Sequence, residues 1–187
     1  MPGVLVPLAS GFEEIEAVTV IDVLRRAGIE VVTAGLIPGP VTGARGITLL
    51  PDRELEGTAA DRYDMIILPG GQPGTDNLNA DPRIHSLLQS FNSSGKLIGA
   101  ICAAPMVLAA AGILEGRRAT SYPACAGQLA GAVHTDSPVV IDGTLITSQG
   151  VGTALDFALS ITARLAGAER AAELARAMVA RNPLIMT

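Results

Sequence analysis

The chemistry in this chain centres on one cysteine and one glutamate. Cys102 closes the apolar run "KLIGAIC", and the alanine-rich segment "AAPMVLAAAGILEG" follows at once. A thiol at a strand-to-helix joint faces unpaired N–H groups and the positive end of a helix dipole, and both favour the thiolate. The joint is similar to the elbow of nucleophilic serines, although "GxSxG" is replaced by "AICAA". Two readings stay open for Cys102, a small buried core thiol and a nucleophile. In "GFEEIEAVTVIDVLRRAG", helical spacing places Glu16, Val20, Val23 and Ala27 on one stripe and Thr19, Asp22 and Arg26 on a solvated one. Burying the Glu16 carboxyl on an apolar face would raise its pKa and leave it a proton to share. The competing reading is a first-turn glutamate that serves the helix dipole. Glu13 reads as the capping-box partner of Ser10. Glu14, at the edge of the apolar face, is given no role.

"LPGGQPG" (68–74) lacks the GK[ST] of a phosphate loop. It is either a plain tight turn or a point of close backbone approach, where Gly70 lets segments meet and the Gly71 N–H serves an oxyanion. "SQGVGTALDF" has the look of a phosphate cradle, but Thr153-x-x-Asp156 reads as a helix cap. Histidine is scarce. His85 lies mid-helix, nothing places His134, and Ala103 directly follows the cysteine. The histidine base needed by a cysteine protease or glutamine amidotransferase is therefore missing. Two isolated histidines and two distant cysteines make no metal site, and no cofactor is expected.

These residues need a scaffold, and the chain is long enough for one α/β domain, taken as 1–187. It is 49% apolar and 17% charged, the composition of a core-former. A net charge of −5 argues against a sequence-independent grip on nucleic acid or anionic lipid. No apolar run reaches 18 residues, so no membrane span is expected, and the start does not read as a signal peptide. Cys102 and Cys125 form no disulfide framework, which points to free thiols in a reducing cytoplasm. Near-continuous apolar strands (3–9, 29–35, 63–71, 97–101) alternate with helices at 13–27 and 81–95 and after Cys102. "ITLLP" begins a short strand pair, "VVIDGTLITSQG" supplies further strand, and two helices end the chain. The pattern predicts a flavodoxin-like, doubly wound, mostly parallel sheet sandwiched by helices. Ligands of such sheets bind beyond the strand carboxyl ends. Topology alone thus gathers Ser10–Glu16, Gly70-Gly71, Cys102, Ser121-Tyr122 and Ser148–Gly150 at one edge.

With "GFEEIE", "YDMIILPGGQPGTDNL", "LIGAICAAP", "SYP" and "LITSQGVGTALDFAL" on the page, the sequence resembles the ThiJ/PfpI superfamily, specifically its DJ-one branch of parkinsonism-associated, deglycase-like proteins. The similarity runs through almost the whole chain. It implies a class I glutamine amidotransferase-like fold, Cys102 as the reactive, oxidisable thiol, and Glu16 as its protonated hydrogen-bonding partner. It also implies Gly71 and Ala103 as oxyanion donors, and Arg45 reaching toward the partner's site in a homodimer. Tyr122 stands where the parkinsonism-associated members have histidine, Ala103 where the protease-like branch has histidine, and Val151 where relatives often have proline. The resemblance implies cofactor-independent glyoxalase or deglycase activity on methylglyoxal and early glycation adducts of thiols and amines. The alternative is a redox-responsive stress protein or chaperone that senses oxidation at Cys102 without turnover. From the helix N-terminus and the N–H donors, the Cys102 thiol is expected to titrate well below its reference value of about 8.5.

Overall fold

The unbroken apolar run of the first strand requires a sheet covered on both sides. A computed structural model describes residues 2–181. In β1 (Gly3–Leu8) every residue is buried. Val4, Val6 and Leu8 join one core, and Leu5 joins the core on the opposite face. The chain continues through α1 (Glu14–Arg26), β2 (Glu30–Gly35), β3 (Val41–Thr42), β4 (Thr48–Leu49), β5 (Arg53–Glu54) and β6 (Met65–Leu68). Next come α2 (Gly74–Ala80), α3 (Pro82–Ser93), β7 (Leu97–Ile101), α4 (Pro105–Ala110), β8 (Arg118–Ala119) and β9 (Val133–His134). The hairpin β10 (Val139–Asp142) and β11 (Leu145–Ser148), then α5 (Ala154–Ala166) and α6 (Ala168–Ala177), complete it.

The central sheet has the order β10-β11-β7-β6-β1-β2-β5. Only β10 runs antiparallel to its neighbour. This is the expected α/β, flavodoxin-like, class I glutamine amidotransferase-like fold. One core joins α1 (Val20, Val23) to α5 (Phe157, Ile161), and the other joins α3 (Ile84, Leu88, Phe91) to α4 (Val107, Leu108). From β1 the chain crosses to β2 on one side, and from β6 it crosses to β7 on the other. The crevice between the carboxyl ends of β1 and β6 is therefore the topological switch point. Among the described residues no helix is long and apolar enough to cross a membrane.

Local details depart from the sequence reading. Helix α2 stands where the sequence reading placed no element, because burial of Thr75 and Leu78 outweighs its Gly and Asn content. Ser10 caps nothing. It is exposed, and its carbonyl accepts from Asn77 Nδ2 at 2.8 Å. Glu13 is itself the N-cap of α1, and its carboxylate accepts the Glu16 N–H at 2.8 Å. Thr153 precedes α5 without capping it, since its hydroxyl bonds Ser148 Oγ (2.7 Å) and the Gly150 carbonyl (3.0 Å). The last expected helix ends at Ala177, and the final residue of its sequence segment, Asn182, lies outside the described residues.

Candidate active site

Cys102 follows the last residue of β7 and adopts φ +64°, the left-handed region that non-glycine residues seldom occupy. Backbone bonds hold it there. Its N–H donates to the Ser148 carbonyl at the end of β11 (2.9 Å), and its carbonyl accepts the Tyr122 N–H (2.8 Å). The Sγ atom receives the N–H groups of Ala103 and Gly71. The elbow thus turns the thiol out of the sheet toward two convergent donors. Helix α4 starts only at Pro105 and is six residues long.

The Gly-Gly loop after β6 brings the other side of the site into place. The Gly70 N–H donates to Glu16 Oε2 (2.9 Å), and its carbonyl accepts the Glu13 N–H (2.8 Å). A Cβ at Gly70 would lie 2.6 Å from Cys102 Cβ and 2.8 Å from Glu16 Oε2, so a side chain there would force the two reactive groups apart. Gly71 has φ +95°, and its Cβ would strike the Gly11 carbonyl oxygen at 2.6 Å. Close backbone approach, not merely a turn, is what these glycines provide.

Glu16 is fully buried, as its place on the apolar stripe predicts, with Val20 and Val23 buried beneath it. Burial is the main force that lifts its pKa from 4.5 to about 7, and the nearby Glu13 charge adds to it. The Cys102 contact and the Gly70 N–H pull the other way. The thiol moves opposite to expectation. Burial, then the Glu16 carboxylate, push it up to about 12, against the lowering action of the Ala103 and Gly71 N–H groups. Carboxyl and thiol therefore titrate as one coupled pair, in which a proton leaves near neutrality and the second is held to about 12.

Gly150 and Tyr122 flank the pair. A Cβ built on Gly150 would have Tyr122 Cδ2, Cys102 Sγ and Glu16 Oε1 as its nearest neighbours. Tyr122 is half exposed. Arg45 is exposed on the turn between β3 and β4, where its side chain makes a long bond (3.5 Å) to the Ala44 carbonyl. His85 binds the Asn79 carbonyl on the α2–α3 side (2.8 Å), and His134 is exposed on β9. Cys125 is half-buried in the 3-10 helix Pro123–Gln128, where burial pushes its thiol up. No group of three or more His, Cys, Asp or Glu side chains is placed to hold a metal among the described residues.

Glu14 is the residue the sequence reading passed over. It is 3% exposed, and its Oε1 accepts the N–H groups of Arg45 (2.6 Å) and Ile47 (3.3 Å). It therefore holds the turn that carries Arg45. Gly43 is the local signal, since a Cβ there would clash with the Glu14 carboxyl. A separate groove of about 590 Å³ opens beside Ser10, Leu36, Asn77 and Arg83. It holds no thiol, and Arg83 is already tied to Asp81, Glu56 and the Leu36 carbonyl.

Comparison with known proteins agrees with this fold. Residues 3–164 match the sequence model of the DJ-1/PfpI family. The chain belongs to that family. Protein dj-1beta of Drosophila melanogaster is 46% identical over 178 residues, covering 94% of this chain and 95% of that protein. A crystal structure of Drosophila melanogaster DJ-1beta superposes with a TM-score of 0.93 at 44% identity, covering 96% of this chain and 98% of the other. A Caenorhabditis elegans relative named glutathione-independent glyoxalase DJR-1.2 is 43% identical over 159 residues, 84% of this chain and 85% of its own. Family membership of this kind fits a glyoxalase, deglycase or stress-protective role.

Proposed function

We propose that the protein is a cofactor-independent glyoxalase/deglycase, acting on methylglyoxal and on early glycation adducts of thiols and amines. One observation carries the reading. A strained cysteine, two backbone N–H donors and a buried carboxyl with a pKa near neutrality converge on one sulfur atom. Sulfur adds to the aldehyde carbon, the C=O π pair moves to oxygen, and the Gly71 and Ala103 N–H groups steady that oxygen until it takes a proton. In the hemithioacetal, Glu16 removes the hydrogen from the former aldehyde carbon and returns a proton to the neighbouring carbonyl carbon. The first carbon is thereby oxidised to a thioester while the second is reduced to an alcohol. Water then cleaves the thioester to the hydroxy acid and restores the thiol. On an adduct, a hemithioacetal or hemiaminal, the hydroxyl proton passes to the leaving sulfur or nitrogen as the C–S or C–N bond breaks and the C=O re-forms, which frees the thiol or amine and gives Cys102 the same aldehyde to attack.

The proposed working form is a cytoplasmic homodimer with Arg45 directed at the partner's site. Exposed Ile15, Val18, Ile47 and Leu50, on α1 and around β4, supply apolar surface for the contact. A redox-sensing reading has its own support, because the buried Glu16 Oε1 lacks a conventional hydrogen bond. A protonated Oε1 would hold an oxidised sulfur as readily as a substrate oxygen. Methylglyoxal turnover with a Cys102→Ala control separates the two. Rapid, cysteine-dependent hydroxy-acid formation supports the enzyme, and its absence leaves the sensor.

A further inference from the structure

A chain of hydroxyl bonds runs from the start of α5 to the backbone on which Cys102 rests. Thr153 directly precedes α5, whose Ala154, Phe157 and Ala158 are buried, so the core fixes its position. Its hydroxyl accepts the Gly150 N–H (3.1 Å) and lies 2.7 Å from Ser148 Oγ and 3.0 Å from the Gly150 carbonyl. Ser148 is fully buried, and its Oγ gives its hydrogen to the Pro138 carbonyl (2.8 Å). The Gly150 carbonyl already accepts the Thr153 N–H (2.9 Å). The single Thr153 hydroxyl hydrogen is therefore best used on Ser148 Oγ, so that each hydroxyl both donates and accepts. Ser148 in turn supplies the carbonyl that accepts the Cys102 N–H (2.9 Å). It is the last residue of β11, so no later rung of the ladder holds that carbonyl.

We propose that Thr153 is a positioning residue for Cys102: its hydroxyl locks the 148–153 turn, and the turn holds the cysteine in its left-handed conformation. The inference rests on Cys102 as the reacting thiol. A non-glycine residue at φ +64° persists only where its surroundings over-determine it. The Cys102 N–H is anchored to Ser148, and Thr153 anchors Ser148 to α5. Thr153 makes no side-chain cap for that helix, so its hydroxyl is committed to the turn alone. Without the hydroxyl, the Gly150 N–H loses its partner and Ser148 loses its link to the helix. The turn then relaxes, and the elbow relaxes with it. Sulfur leaves the convergence of the Ala103 and Gly71 N–H groups, the two donors that favour its thiolate. Glu16 lies off this path, because its carboxyl is held by the Gly70 N–H. Thr153 thus acts through Ser148 and Gly150, not on the sulfur itself.

The test is the rate at which iodoacetamide alkylates Cys102 from about pH 5 to about pH 9, in a Cys125→Ser background so that a single thiol reacts. In the parent the rate should rise through about 7, where the pair gives up its first proton, and then level off. Thr153→Val keeps the shape and loses the hydroxyl. It should lower the plateau about tenfold without moving its midpoint, the cost of leaving one buried partner unpaired. Thr153→Ser restores the hydroxyl and should restore the plateau. A merely structural role has the opposite sign, because local opening exposes a buried thiol and speeds alkylation. Ser148→Ala cuts the same link from its other end and should also lower the plateau, and it decides the matter if Thr153→Val does not fold. An unchanged or raised plateau in Thr153→Val or in Ser148→Ala overturns the assignment. So does a fall in Thr153→Ser equal to that in Thr153→Val. Absence of methylglyoxal turnover in the unmodified protein would instead remove the enzymatic reading, while the alkylation plateau still judges Thr153.

Discussion

Replacing Glu16 with Gln should change how stability depends on pH, and the sign follows from burial. The carboxyl is fully buried, and its pKa in the folded chain is about 7 against 4.5 when unfolded. Between those values the folded protein keeps a proton that the unfolded chain has released. Stability from this group is therefore complete below about 4.5 and is lost as pH rises through about 7. The difference of 7 − 4.5 is 2.5, which at 1.36 kcal/mol for each gives about 3 kcal/mol. Gln keeps the shape and an acceptor for the Gly70 N–H but cannot ionise. In a Cys102→Ser background, which removes thiol titration and oxidation, urea unfolding at intervals from pH 4.5 to 8 reads the effect. The parent and its Glu16→Gln variant should lie close together at the acid end, with the variant gaining about 3 kcal/mol relative to the parent by pH 8. Parallel curves across the whole range would refute the buried-acid assignment, and with it the reserve of a proton for the thiol.

Cys102→Ser should lower methylglyoxal turnover at least about a thousandfold, while Cys125→Ser keeps most of it; the reverse pattern would place the nucleophile in the 3-10 helix instead. Gly71→Ala should cost about 2 kcal/mol or more in thermal or urea unfolding, because φ is +95° and the new Cβ meets the Gly11 carbonyl. A native-like stability would show that the loop can move away. Sedimentation at micromolar concentration should give a dimer that Leu50→Asp weakens, and a monomeric parent would leave Arg45 without a site to reach. Glu16→Asp, with its shorter arm, should let peroxide carry Cys102 past sulfinate to sulfonate, a product mass spectrometry distinguishes.

What the sequence disclosed depended on the range of the interactions. Period and composition are local, so the strands, α1, α3 and the parallel sheet were legible, and topology then gathered Glu16, Gly70, Gly71 and Cys102. Caps are local too, yet Ser10 and Glu13 were misread, because a capping pattern does not say whether its first or last member begins the helix. Glu14 was invisible for a different reason. Its partners are the N–H groups of Arg45 and Ile47, 31 and 33 positions away, and backbone donors leave no side-chain pattern to read. Short α2 failed on propensity, since two buried contacts outweighed a weak helical sequence.

The expected low thiol pKa failed because it counted donors to sulfur and omitted the loss of water. Burial and the facing carboxylate dominate, and the pair carries one negative charge over a wide range above neutrality. The donors set how far the thiolate form lies above the form with its charge on the carboxyl. On sulfur, that charge meets the Ala103 and Gly71 N–H groups and the proton of Glu16. On the carboxyl, it meets the Gly70 N–H at Oε2, while Oε1 has only a weak thiol donor beside it. Burial and the facing carboxylate outweigh the sulfur's two backbone donors, so the charge rests on the carboxyl and the thiolate is the minor form of the pair. The reactive form is thus reached by moving a proton within the pair, from sulfur to Oε1, with no change in net charge. A free thiol would have to lose its proton to solvent. Depressing the thiol pKa is not required for a nucleophile when its neighbour can take the proton.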